Sequence, residues 1–282
     1  MRSAGAAQEA ASRWDIATPP DPGLLLGVQM AGFGDRSSDP LDLGVVPFPA
    51  VTVAVDLGED LRMVDDAGRQ ERGSLVFGLG SRSVRASGSS VECLQIRLSP
   101  VVAHAVLDAS SELDGTVVGL EAIWGREAGR IEDRLRAARS WEERFQIAGA
   151  AIARRLESGR RVDPEVAFAW EQLAEGGGQV RIDQLAAELG WSRKRLWSRF
   201  RAQVGLTPKR AAQLIRFDRA AHRLAAGQSP ADVAAESGYA DQSHLHRETV
   251  AFSGMSPTAL AAAPWLAVDD VAWAERPSPT TR

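Results

Sequence analysis

The stretch Ala186-Ala187-Glu188-Leu189-Gly190-Trp191, closed by Val204-Gly205-Leu206-Thr207-Pro208, returns downstream as Ala234-Ala235-Glu236-Ser237-Gly238-Tyr239, closed by Ser253-Gly254-Met255-Ser256-Pro257. The offset is 48 residues at the start and 49 at the end, so one residue is inserted near Ala240 and register is otherwise kept. Each copy has small alanines with a Leu or Val for a short helix, a Gly for a sharp turn, and an aromatic residue to fill the angle before the next helix. That is the grammar of a helix-turn-helix. In the first copy Ser192 is placed to cap the second helix, and Leu196, Phe200 and Val204 recur at helical spacing as its buried face. Arg193, Lys194, Trp197, Ser198 and Arg201 are then forced outward. In the second copy Leu245, Thr249 and Phe252 share one face and leave Gln242, Ser243, His246 and Arg247 available, with His244 as a phosphate or structural contact.

Between the copies, Thr207 caps a helix that opens on Pro208, carries Ala212, Ile215, Ala220 and Leu224 as an apolar stripe, and stops at Gly227. At about 1.5 Å per residue this rod is roughly 28 Å long. Successive major grooves on one face of DNA are about 34 Å apart, so the rod could hold two readers in adjacent grooves.

On these residues the sequence resembles the AraC/XylS family of transcription regulators. The resemblance is carried by Leu185-Ala186, Gly190, Ser192, Leu196, Phe200, Gly205-Leu206-Thr207-Pro208, Arg216 and Ala220. It continues through Ala234, Gly238-Tyr239, Asp241-Gln242-Ser243-His244, Arg247, Gly254 and Pro257, and spans Val162 to Ala262. It departs where Leu245 and Thr249 replace the family's usual Phe, and at Ser253, where Phe252 substitutes from the neighbouring position. That implies a second unit packed less tightly than the first. The first half resembles, more loosely, the sensor domains of such regulators, through Glu92-Cys93-Leu94-Gln95-Ile96-Arg97-Leu98-Ser99-Pro100 and Leu120-Glu121-Ala122-Ile123-Trp124-Gly125. No ligand comes with that likeness.

Charge is divided in the way a DNA binder needs. The whole chain is slightly acidic at -4. Residues 179–264 nevertheless carry 12 Lys/Arg against 7 Asp/Glu, while residues 1–178 carry 19 against 27. The basic part is drawn to DNA and the acidic part repelled, which favours one docking face. A composition of 44% hydrophobic and 25% charged residues is that of a soluble globular chain. No apolar run reaches the roughly 20 residues a membrane span needs, and no signal-peptide layout opens the chain. The single Cys93 excludes a disulfide framework and suits a reducing cytoplasm.

In the first half, Leu24–Met30, Val51–Leu57, Leu75–Leu79, Ser83–Ala86 and Val91–Leu98 read as short strands, and Asp65-Asp66-Ala67-Gly68 as a hairpin turn. Helices are expected from Pro100, over Ala128–Ala138 and Trp141–Leu156, and from Asp163-Pro164, with a break at Gly176-Gly177-Gly178.

Each signal has a plainer explanation. A basic helix face is ordinarily a solvated surface, and Trp197 could pack between helices. Their place on the second helix of a duplicated helix-turn-helix gives them to DNA instead. His244 and His246 stand two apart and cannot share a metal, His104 reads as structural, and Cys93 reads as a buried thiol.

The fold expected is an α+β N-terminal domain, a small antiparallel sheet or barrel followed by helices, and an all-α C-terminal domain with two helix-turn-helix units joined by a long helix. The division expected is a mobile segment at 1–22, from which Trp14 can still dock on the body, a sensor or dimerisation domain at 23–160, a DNA-binding domain at 161–264, and a tail at 265–282 whose Trp265 and Trp273 can cover the body. The function expected is a cytoplasmic, sequence-specific transcription regulator, with no enzyme activity, cofactor or metal. Its expected partner is double-stranded DNA, with a small-molecule effector, RNA polymerase and a second copy of the chain as candidates, and no membrane. The rivals are a non-sensing DNA-binding protein and an enzyme domain fused to a DNA-binding module.

Overall fold

The computed structural model describes residues 13–21, 25–37, 39–58, 61–64, 68–80, 84–108, 113 and 115–273. Its first half carries β1 (Trp14–Ala17), β2 (Val28–Asp35), β3 (Leu41–Val45), β4 (Val51–Asp56), β5 (Arg62–Val64), β6 (Gln70–Arg72), β7 (Leu75–Phe77), β8 (Val84–Gly88), β9 (Glu92–Leu98) and β10 (Val117–Gly119). They form a six-stranded sheet, β1-β2-β9-β4-β7-β10, and a four-stranded sheet, β3-β8-β5-β6. Every pairing is antiparallel.

The larger sheet is covered on both faces. Along β9 the side chains alternate: Leu94, Ile96 and Leu98 join the core shared with the helices, while Cys93 joins the core against the smaller sheet. All six residues of β4 are buried, Thr52 and Asp56 included, so this strand has no solvent-facing side. The helices on the far face are α1 (Pro100–Leu107), α2 (Leu120–Trp124), α3 (Arg126–Ala137) and α4 (Trp141–Ser158). Ser99 and Ser140 cap α1 and α4, accepting from Val102 N at 3.3 Å and Glu143 N at 3.2 Å.

The second half is helical: α5 (Pro164–Glu175), α6 (Ile182–Glu188), α7 (Arg193–Val204), α8 (Pro208–Ala225), α9 (Pro230–Glu236), α10 (Gln242–Ser253), α11 (Pro257–Ala261) and α12 (Pro264–Ala272). The long α8 is the spine. Its apolar side, including Ala211, Leu214, Ile215, Phe217, Ala221 and Leu224, is buried, and α5, α7, α9, α10, α11 and α12 all pack on it. The glycine break after α5 is a packing device. A methyl group on Gly178 would sit 2.0 Å from the Ala212 carbonyl oxygen, so only glycine lets the chain pass this close to the spine.

Several features differ from the expectation. Trp14–Ala17, inside the segment expected to be a mobile lead-in, is a strand of the larger sheet, held by Trp14 edge-on to Phe33 at 6.0 Å and by Arg13 on Asp35 at 2.6 Å. Residues 1–12 lie outside the described residues. Part of the expected tail is α12, which packs on β1, β3 and α8. β3, β5, β6 and β10 appear where no strand was expected. β6 is exposed at all three positions, so it has no apolar pattern to betray it. The strands flanking the expected Asp65–Gly68 turn do pair as a hairpin, although residues 65–67 lie outside the described residues.

Candidate nucleic-acid interface

In the first unit α6 leads into Gly190, whose φ of +64° lets the chain turn into α7. Ser192 caps α7, accepting from Arg195 N at 3.2 Å. Leu196, Phe200 and Val204 are buried, whereas Ser192, Arg193, Lys194, Trp197, Ser198 and Arg201 are exposed together. Trp197 is 47% exposed, and the Arg201 guanidinium lies over its ring at 5.4 Å. The cations of this helix divide by role. Arg195 lies over Trp191 at 4.3 Å and Arg199 pairs with Asp163 at 2.6 Å, so both brace the fold. Arg193 and Lys194 make no ion pair among the described residues and stand in solvent at the start of the helix.

The second unit repeats this plan with Gly238 at φ +74° and Asp241 as the cap, accepting from His244 N at 2.6 Å. The inserted Ala240 lengthens the turn between Tyr239 and this cap. Gln242, Ser243, His246 and Arg247 are exposed. His244 is half-buried: it lies edge-on to Tyr239 at 5.2 Å, and its Nδ1 accepts from Ala240 N at 3.3 Å. It braces the turn and stands apart from the exposed group. Thr249 and Ser253, where the family carries aromatics, are buried, and their hydroxyls donate to Leu245 O at 2.8 Å and Thr249 O at 2.7 Å. Phe252 stacks on Phe217 of the spine at 4.9 Å, which anchors α10 in place of those aromatics.

One buried carboxylate ties the second unit to the spine. Glu248 of α10 accepts from Arg216 Nε at 3.1 Å and Arg216 Nη2 at 2.6 Å, and from Gln213 Nε2 at 3.4 Å. The Arg216 guanidinium also covers the Tyr239 ring at 4.6 Å. The two units thus flank a polar cleft of about 440 Å³, lined by Gln179, Lys209, Gln213, Arg216 and His244. Lys209 and Gln179, both exposed, escaped the sequence reading because neither lies on a second helix of a unit.

A second site lies between the two sheets. There a cavity of about 110 Å³ is walled by Trp14, Phe33, Phe48, Met63, Phe77 and Trp273. Thr52, Gln95, Arg97 and Asp269 supply polar groups. Cys93 also lines it, but burial pushes its thiol up to about 12, so it stays protonated and is no nucleophile. Arg97 of β9 is sandwiched between Phe48 at 3.9 Å and Trp273 at 4.1 Å, and its guanidinium donates to both oxygens of Asp269.

Asp269 belongs to α12, and its Oδ2 also lies 3.1 Å from His222 Nε2 on the spine. Burial alone would raise the Asp269 carboxyl, but the Arg97 charge and the His222 hydrogen bond outweigh it and leave it below the usual range. The hydrogen bond to Asp269 lifts His222 to about 9 against the opposing effect of burial. Both ring nitrogens face acceptors, Asp269 and the Asp218 carbonyl at 2.9 Å, so the doubly protonated ring fits best. Because the folded value lies above the ordinary 6.5, this contact stabilises fully below about pH 6.5 and is lost as pH rises through about 9. The stability gap between the native chain and His222→Gln should shrink by on the order of 2 kcal/mol between pH 6 and pH 9.5 in urea denaturation. A gap constant across that range would remove this role from His222.

The sequence similarity to known proteins that follows is confined to part of the chain, whereas the structural similarity spans most of it. A family model described as a helix-turn-helix domain matches residues 185–263. The uncharacterized HTH-type transcriptional regulator YbfI of Bacillus subtilis (strain 168) is 36% identical over 78 residues, which cover 28% of this chain and 27% of that protein. Among solved structures, unsaturated fatty acid-bound ToxT from Vibrio cholerae strain SCE256 matches with a TM-score of 0.47 and 11% identity, over 85% of this chain and 96% of its own. The AraC-like transcriptional activator CuxR matches with a TM-score of 0.30 and 16% identity, over 73% of this chain and 85% of its own. Among the described residues no helix is long and apolar enough to cross a membrane.

Proposed function

We propose, on the premise that residues 185–263 form an AraC-type helix-turn-helix domain, that the chain is a sequence-specific transcription regulator reading two adjacent stretches of duplex DNA. The observation that carries this reading is the repetition of one exposed polar face at the start of two helices braced on one spine. Ser192, Arg193, Lys194, Trp197, Ser198 and Arg201 form the first face; Gln242, Ser243, His246 and Arg247 form the second. Arg can read guanine and Gln adenine with paired hydrogen bonds, while Lys and the helix starts hold phosphates. His244 serves the second face from behind, by fixing its turn. Residues 161–264 act as the DNA-binding domain. The preceding half acts as a sensing domain, because its two sheets enclose a cavity with an apolar wall and a few converging polar groups. A second copy of the chain and RNA polymerase are the further partners of this reading, and the cytoplasm its compartment.

The test is selection of binding sites from random duplexes by the full chain, followed by titration of the winner against Lys194→Ala and Arg247→Ala. Both side chains are exposed and neither is ion-paired among the described residues, so both variants should melt within about 0.5 kcal/mol of the native chain. Each should lose about 1–3 kcal/mol of binding if it touches a base, or flatten the salt dependence by about one unit of slope if it touches a phosphate. A chain that selects no sequence and binds no DNA at low salt would overturn the proposal.

A further inference from the structure

Two residues that line the cavity between the sheets, Thr52 and Arg97, each keep a buried polar atom that the fold leaves unused. Thr52 Oγ1 and Arg97 Nε are buried and have no hydrogen-bond partner among the described residues. Residues 52 and 97 stand directly opposite each other on β4 and β9, so their side chains rise side by side from one face of the sheet. An arginine Nε–H can only donate, and a threonine hydroxyl can donate too, so the missing partner is an oxygen acceptor. Around them the wall is aromatic, and the volume is on the scale of a cavity that takes one aromatic ring.

The rest of the Arg97 fork is already occupied by a carboxylate from within the chain. Asp269 reaches it from α12, which closes one side of the cavity with Val268 and Trp273. A guanidinium fork between two aromatic rings is a carboxylate site by geometry. Asp269 is therefore held in the position that an acidic ligand would take. Among the described residues the only other charged partner of Asp269 is His222, on the spine of the DNA-binding half, so whatever replaces Asp269 at Arg97 changes a contact that both halves share.

We propose that this cavity binds a small aromatic molecule bearing a carboxylate, that the carboxylate is held by Arg97 and Thr52, and that Asp269 on the lid helix α12 is the internal competitor it displaces. A neutral acceptor could use Thr52 and Arg97 Nε, but it would leave the buried Asp269–Arg97 pair intact and the lid in place. An anion takes over the fork, leaving Asp269 to His222 and freeing the edge of α12 from β9. This assignment rests on the reading of the first half as a sensing domain and adds the ligand's chemistry and the means by which its arrival is felt.

Calorimetric titration of the full chain with phenylacetate and with its neutral twin, phenylacetamide, tests it. Removing the competitor's charge in Asp269→Asn should tighten phenylacetate by about tenfold or more, because the ligand no longer has to break a buried ion pair. Phenylacetamide should change by less than about twofold. Thr52→Val, which keeps the shape and removes the hydroxyl, should weaken phenylacetate several-fold. If Asp269→Asn does not fold, the Thr52→Val comparison decides. Equal affinity of Asp269→Asn and the native chain for phenylacetate overturns the proposal. So does an equal gain for the amide, indifference to Thr52→Val, or no uptake of phenylacetate by any of these proteins at millimolar concentration. DNA binding is assayed separately on the same preparations: its absence with these affinities as expected counts against the regulator reading and leaves the ligand site standing.

Discussion

Replacing Glu248 by alanine is expected to destabilise the chain by about 3–5 kcal/mol, the range for removing one partner of a buried ion pair. Glu248 is 6% exposed and answers two donors of Arg216 and one of Gln213. Its loss leaves the guanidinium buried against Tyr239 with no acceptor. The damage should be local in kind, because the broken contact joins α10 to the spine and leaves the first unit's core untouched. Urea denaturation of the full chain gives the size of the effect. Footprinting at a urea concentration well below the transition should show protection fading first over the half-site read by Gln242, Ser243, His246 and Arg247. Glu248→Gln, which keeps an acceptor oxygen and drops the charge, should fall between. A loss under about 1 kcal/mol would mean that the second unit is held by Phe252 and Leu245 alone, and that the ion pair adds little.

Phe200→Ala should be comparably severe, at about 3–5 kcal/mol, for a different reason. Phe200 has no exposed surface and sits on the inner face of α7, which packs on α1, α5, α6 and α8. Truncation opens a cavity on this packed face, so the first unit and its contact with the preceding half should loosen together. Arg201, the next residue along, points to solvent over Trp197. Comparing Phe200→Ala with Lys194→Ala therefore separates fold from recognition within one helix. Native stability in Phe200→Ala would show that the inner and outer faces of α7 have been exchanged.

The helix-turn-helix half was legible because its information is local. A turn glycine, a cap and three apolar residues at helical spacing lie within about 15 residues of one another, and the duplication states the pattern twice. The expected caps at Ser192 and Thr207 are in place, each accepting from the backbone N–H three residues on. Even here, the arginines that brace and the arginines that face solvent looked alike. Arg199 is occupied by Asp163 and Arg216 by Glu248, and only the packing of separate helices brings those partners together.

In the first half the sequence by itself determined the buried strands. β4 and β9 carry enough apolar residues to show, at alternate positions in both: Val51, Val53 and Val55 in one, Leu94, Ile96 and Leu98 in the other. It did not determine β3, β5, β6 or β10, three to five residues each, whose pairing depends on neighbours elsewhere in the chain. In the tail, the tryptophans pointed to the body but the Asp269 contacts were not legible. Nothing in Pro264–Ala272 announces a lid, because its role lies in one carboxylate meeting Arg97, 172 residues away, and His222, 47 residues away. Periodicity and caps act within one helix and can be read along the chain. The meeting of three charged groups from a strand, a spine and a lid is fixed by sheet register and helix docking, so tertiary structure alone decided it.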